Sequence, residues 1–109
     1  MIPIGLDTSA FYYDVTIYSS GMYFNYIRFD SKGNIFGATT RKWMPYDSIN
    51  KLAKPNNFYV ANNQIIRWEV YTDGLNGWLP CHAIIVNDTL KYWYGGSTKG
   101  VSLIKLGAK

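Results

Sequence analysis

The chain has 109 residues, of which 48% are hydrophobic and 17% charged, and its formal net charge is +4. This length suffices for one domain with one modest core, so we expect residues 1–109 to form a single domain, and the composition excludes a disordered tail. Ten Tyr, four Trp and five Phe, against a single Glu, favour strands over helices.

The first half of the chain predicts three strands and a helix. The alternating segment FYYDVTIY (11–18) predicts the first strand. MYFNYIRFD (22–30) and IFGATT (35–40) predict a hairpin around the turn SKGN, and Gly37 indicates a bulge or bend in its second arm. A short apolar stripe between two prolines predicts one helix over about 46–53.

The second half predicts strands alone, separated by Gly- or Asn-containing turns. Asn62–Asn63 and Asn87–Asp88 are typical of tight turns because Asn tolerates positive φ. Pro80 restricts the early part of its strand to an edge or a bulge. The predicted strands are NFYVA (57–61), QIIRWEVY (64–71), WLPCHAIIV (78–86), TLKYWY (89–94) and VSLIKL (101–106).

These elements together predict a mainly all-β protein with about eight short strands. Sequential hairpins favour an antiparallel meander. A meander of this size can close into a small barrel, which removes exposed sheet edges. A strongly curved open sheet is the alternative.

Three segments have a strand and turn rhythm that resembles small bacterial lipocalin-like β-barrel domains. They are YIRFDSKGNIFGATT (26–40), NFYVANNQIIRWEVY (57–71) and AIIVNDTLKYWY (83–94). The resemblance implies a barrel and, by analogy, binding of a ligand or a protein, and it implies no catalytic residues.

No motif points to catalysis or to a metal. Cys81 and His82 are neighbours, so on a strand they face opposite sides, and the chain holds no other His to act as a base. One His and one Cys cannot supply the usual four ligands of structural zinc. The loop GGSTKG (95–100) lacks the phosphate-loop order of Gly and Lys. We therefore expect no enzyme activity, no metal and no cofactor.

Polar and aromatic tips on the predicted inner face suggest a pocket, although a barrel this small can also be filled by its own side chains. The inner candidates are Tyr13, Asn25, Trp68 and Tyr92. Aromatic and basic residues on the outside suggest a partner surface. The outer candidates are Arg41, Lys42, Trp43 and Trp93.

The sequence leaves three binding functions open. The first is recognition of a protein partner, as by an immunity or inhibitor protein of a bacterium or phage. The second is carriage of a small molecule inside the barrel. The third is binding of single-stranded nucleic acid, for which the scattered basic residues are weak support.

The chain shows no signal peptide and no apolar run long enough for a membrane span, so we expect a cytoplasmic location and no membrane partner.

Overall fold

The computed structural model describes residues 3–72, 77–95 and 100–107. Within these ranges it contains one short helix and nine strands, all paired antiparallel, which confirms the mainly β prediction. The helix is α1 (Tyr46–Leu52). The strands are β1 (Phe11–Tyr18), β2 (Gly21–Phe29), β3 (Asn34–Thr40), β4 (Lys54–Phe58), β5 (Val60–Asn62), β6 (Ile65–Thr72), β7 (Gly77–Val86), β8 (Thr89–Tyr94) and β9 (Val101–Leu106). No helix of the described residues is long and apolar enough to cross a membrane.

The hairpin turns follow from local side-chain chemistry. Between β2 and β3 the Asp30 carboxylate accepts hydrogen bonds from the backbone N–H groups of Lys32 and Asn34, each at 2.8 Å. Asn87 adopts φ 57° in the predicted β7–β8 turn. The β5–β6 turn was predicted one residue too early, because Asn63 and Gln64, with φ 53° and 70°, form it.

The nine strands form one sheet in the order β4-β3-β2-β1-β9-β8-β7-β6-β5. β4 and β5 are therefore the two edges of the sheet, although they are separated in the chain by Tyr59 alone. The Asn57 amide of β4 donates a hydrogen bond to the Glu69 carbonyl of β6 across the remaining gap. The sheet is a nearly closed barrel.

Tyr59 joins the two edges, and the predicted single strand 57–61 is divided at this residue. Its backbone N–H donates to the Gly33 carbonyl at 2.9 Å, and its hydroxyl donates to the Asp30 carbonyl. Its ring is 8% exposed and packs edge-to-face on Phe29. These contacts attach the joint between β4 and β5 to the β2–β3 turn.

The apolar side chains form two clusters, one inside the barrel and one outside it. The inner cluster fills one end of the barrel, and its buried members include Leu6, Tyr12, Phe29, Ile66, Leu90 and Leu103. The outer cluster lies under α1 and joins the buried Ile49 of the helix to Phe11 and Tyr26 of the sheet. Burying this outer face against the helix is what stabilises a seven-residue helix, which is too short to be stable alone.

The segment before β1 closes the filled end of the barrel. Leu6 packs in the inner cluster, and the Tyr12 hydroxyl accepts a hydrogen bond from the Asp7 backbone N–H at 3.1 Å. The Asp7 carboxylate lies 3.1 Å from the Lys105 ammonium of β9. The N-terminal residues are thereby attached to both β1 and β9.

Replacing Tyr59 should destabilise the protein far more than replacing its neighbour. We expect Tyr59→Ala to lower the free energy of unfolding by about 3–5 kcal/mol, because it removes a buried ring and the hydroxyl that bonds to the Asp30 carbonyl. Phe58→Ala, at a side chain 74% exposed, should cost less than about 1 kcal/mol. Urea unfolding of both variants measures this, and equal losses would contradict the role of Tyr59.

Stability should fall in acid as two carboxyl groups become protonated. Hydrogen bonds from Ser9, together with Lys105, lower the pKa of Asp7 below 3.8. Partial desolvation of Asp30 opposes its hydrogen bonds from Asn34 and Lys32, but the pKa of Asp30 is also lowered below 3.8. A lowered folded-state pKa contributes stability above the unfolded value, and that stability is lost as pH falls from about 4 through the folded value.

The urea midpoint should therefore fall more between pH 7 and pH 3 for the wild type than for the double variant Asp7→Asn, Asp30→Asn. Asp47→Asn, at an exposed helix position, serves as the control and should keep the wild-type dependence. A double variant that loses as much stability in acid as the wild type would show that other groups are responsible.

Candidate ligand-binding site

One half of the barrel interior is not filled by side chains. A cavity of about 540 Å³ opens there, at the end of the barrel away from the N-terminal segment. We call it the cup. Its floor is the side of the inner cluster that faces the cavity, and it is formed by Ile27, Ile35 and Leu103.

One wall of the cup is polar and spans three strands. Asp14 of β1 pairs with Asn25 of β2, which pairs with Thr39 of β3. The Asn25 amide donates to the Asp14 carboxylate at 3.2 Å and to the Thr16 hydroxyl at 3.0 Å, and its oxygen accepts from the Thr39 hydroxyl at 3.2 Å. These bonds hold the four side chains in one network that faces the cavity.

The opposite wall is aromatic. The half-buried Trp68 of β6 packs edge-to-face on Tyr92 of β8, with ring centres 6.1 Å apart. The hydroxyls of Tyr92 and Tyr94 lie 2.9 Å apart and share a hydrogen bond. Burial, supplemented by that bond, raises the pKa of Tyr92 far above its ordinary value.

The open end of the cup is lined by exposed aromatic side chains. Tyr71 and Trp78 form an edge-to-face pair with ring centres 5.6 Å apart, and Tyr18 lies at the end of β1. All three are at least half exposed.

Gly37 gives the cup wall room for a second amide. A Cβ at Gly37 would lie 2.7 Å from the side-chain nitrogen of Asn56, which also lines the cavity. The register between β3 and β4 shifts between Ile35 and Phe36, next to the position where Gly37 predicted an irregularity. The glycine therefore leaves room for the Asn56 amide against β3 at this end of the barrel.

The structure places three of the four inner candidates in the cup. Asn25, Trp68 and Tyr92 line it. Tyr13, expected inside, instead lies on the outer face, where it stacks on Tyr26 with ring centres 5.8 Å apart and packs in the cluster under α1. On β1 the side chains that face the barrel interior are therefore those of the even-numbered residues, whereas Tyr13 was predicted to be among them.

Sequence reasoning missed several cup residues because they are polar. On β1 the inward positions are Tyr12, Asp14 and Thr16, while the more apolar Val15 and Ile17 are exposed. The only sequence signal was the regular alternation of Asp14 and Thr16 with apolar neighbours. That alternation defines two faces but does not say which one is enclosed.

The outer candidates have two different environments. Arg41, Lys42 and Trp43 are exposed in the connection between β3 and α1, and the Arg41 guanidinium stacks over the Tyr23 ring at 4.7 Å. Trp93 is half-buried and stacks on His82, with ring centres 5.1 Å apart and planes at 13°. Trp93 therefore packs against a neighbouring strand, whereas Trp43 is accessible.

Cys81 and His82 face different surroundings, as expected for neighbours on a strand. Cys81 is 2% exposed, and its thiol points to the Leu79 carbonyl at 3.8 Å, while His82 packs on Trp93. Among the described residues, no group of three or more His, Cys, Asp or Glu side chains is placed to hold a metal ion.

Comparison with protein-family models, with curated proteins and with solved structures finds no match in any of the three.

The Cys81 thiol should resist alkylation in the folded protein. Burial raises the pKa of this thiol to about 11, and the thiolate is the reactive form. Iodoacetamide at pH 8 should modify the native protein at least a hundredfold more slowly than the urea-unfolded protein. Mass spectrometry of the time course measures both rates, and rapid labelling of the native protein would contradict the burial of Cys81.

Proposed function

We propose that the protein binds a small organic molecule in the cup. The observation that carries this proposal is a barrel filled at one end and open at the other, with a cavity of about 540 Å³. Pockets for small molecules commonly measure about 300–1,000 Å³ and combine apolar walls with a few polar groups. The cup has that composition.

The polar wall supports a ligand-binding role over simple packing. Asp14, Thr16, Asn25 and Thr39 occupy inner positions that apolar side chains would fill if the barrel needed only stability. Their hydrogen bonds hold them in fixed orientations before any ligand arrives. A preorganised polar wall reduces the entropy lost on binding.

The barrel shape adds support by analogy. A nearly closed antiparallel barrel is the architecture of the small lipocalin-like domains that the strand and turn rhythm resembles, and barrels of this kind can hold one small ligand. The analogy concerns the place of binding, and the chemistry of the ligand must come from the side chains in the cup.

A second function, recognition of a protein, is favoured by an exposed apolar surface beside the joint between β4 and β5. Phe58, Val60 and Trp78 are 74%, 68% and 63% exposed and line one shallow pocket together with Arg67 and Glu69. Exposed aromatic side chains next to charged ones are common in protein interfaces. The exposed Trp43 is not among the residues that line this pocket.

Filling the cup should abolish binding without unfolding the protein. Thr16 points into the cup and the adjacent Ile17 is 75% exposed on the outer face, so Thr16→Phe should block the cavity while Ile17→Phe should leave it open. A thermal-shift screen of soluble metabolites measures binding, because a ligand of the native state raises the melting temperature.

We expect compounds that stabilise the wild type and the Ile17→Phe variant to lose their effect on the Thr16→Phe variant. Quenching of Trp68 fluorescence should follow the same pattern, since this ring lines the cavity. If Thr16→Phe responded to the same compounds as the wild type, the ligands would bind outside the cup and the proposal would be wrong.

A further inference from the structure

The charge of the cup is opposite to the charge of the chain. The chain has eleven basic and seven acidic residues, yet none of the described Lys and Arg side chains lines the cavity. Among the described lining residues, Asp14 carries the one formal charge. The one formal charge on the described lining is therefore negative, whereas the formal charge of the chain is +4.

The Asp14 carboxylate has unused capacity to accept hydrogen bonds. Within the described residues its one hydrogen-bond donor is the Asn25 amide at 3.2 Å, and a carboxylate offers about four acceptor sites. The side chain is half-buried and faces the cavity. A ligand that excluded water from the cup would thus bury this charge without a partner unless the ligand supplied one.

The aromatic wall favours the same kind of ligand. Indole and phenol rings attract cations to their faces, and Trp68, Tyr92 and Tyr94 all line the cavity that Asp14 enters.

We infer that the cup selects an organic cation, an amine or quaternary ammonium compound with an apolar body. The cationic group would bind between the Asp14 carboxylate and the aromatic wall, and the apolar body would contact the floor formed by Ile27, Ile35 and Leu103. This inference rests on the proposed small-molecule function and adds the charge class of the ligand.

A neutral or anionic ligand fits these observations less well. An anion would be repelled by the Asp14 carboxylate, and the repulsion would grow as the ligand displaced water from the cup. A neutral molecule would remove water from the carboxylate without compensating its charge. A cation alone gains from both the carboxylate and the rings.

Three probes of nearly equal size and shape test the charge preference. They are choline, its uncharged analogue 3,3-dimethylbutan-1-ol, and the anion 3,3-dimethylbutanoate. Isothermal titration of the full chain should show choline binding at least roughly tenfold more tightly than the alcohol, with the anion weakest. The choline affinity should weaken as salt is added.

Variants at Asp14 connect the preference to this carboxylate. Asp14→Asn should lower the choline affinity roughly tenfold and remove most of the preference for choline over the alcohol, while Asp14→Glu, which keeps the charge, should retain that preference. Asp47→Asn, on the exposed face of α1, is the matched control and should bind as the wild type does. Melting curves of each variant verify folding.

The outcomes separate this inference from the proposed function on which it rests. If the alcohol or the anion bound as tightly as choline, and Thr16→Phe abolished that binding, the cup would still be a ligand site but its selection of cations would be overturned. If no probe and no compound of the metabolite screen bound the wild-type protein, both the inference and the proposed function would be overturned.

Discussion

The structure depends on one constraint: β4 and β5 follow each other in the chain but lie at opposite edges of the sheet. β4 ends at Phe58 and β5 begins at Val60, so the single residue Tyr59 holds the first and last strands of the sheet together. A sheet whose edges are joined in this way must curl. The enclosed inner face, the buried cluster and the cup all follow from that closure.

The two ends of the barrel interior differ, since one is packed and stabilises the fold and the other is open and forms the candidate site. At one end large apolar side chains and the N-terminal segment fill the barrel, and Tyr12, Phe29 and Ile66 are almost fully buried. At the other end many inner positions carry polar or aromatic side chains, which do not fill the interior, so the cavity remains there. Polar inner positions weaken the core at that end, and the second cluster under α1 offsets the loss by burying part of the outer face.

The strands could be predicted from the sequence because their signals are local. Seven predicted strands and the helix lie within one or two residues of their observed bounds, since alternation and Gly- or Asn-containing turns act over a few residues. The segment 57–61 was the exception. Its division at Tyr59 depends on bonds to Gly33 and Asp30, which are distant in sequence and leave no local mark.

The candidate site was only partly predictable for a related reason. Asn25, Trp68 and Tyr92 were placed inside because the apolar alternation of β2, β6 and β8 matches the enclosed face. On β1 the same rule selected Tyr13, which the helix covers from outside, and missed Asp14 and Thr16, which point into the cup.

The sequence by itself determined that the chain forms short antiparallel strands joined by tight turns, because backbone preference and side-chain alternation are local properties. The tertiary structure alone decided which face of β1 is enclosed, where the barrel closes, and that Asp14 shares a cavity with Trp68 and Tyr92. Each strand has two faces. The direction in which the sheet curls, and the face that the helix covers, are set by contacts between residues far apart in the chain.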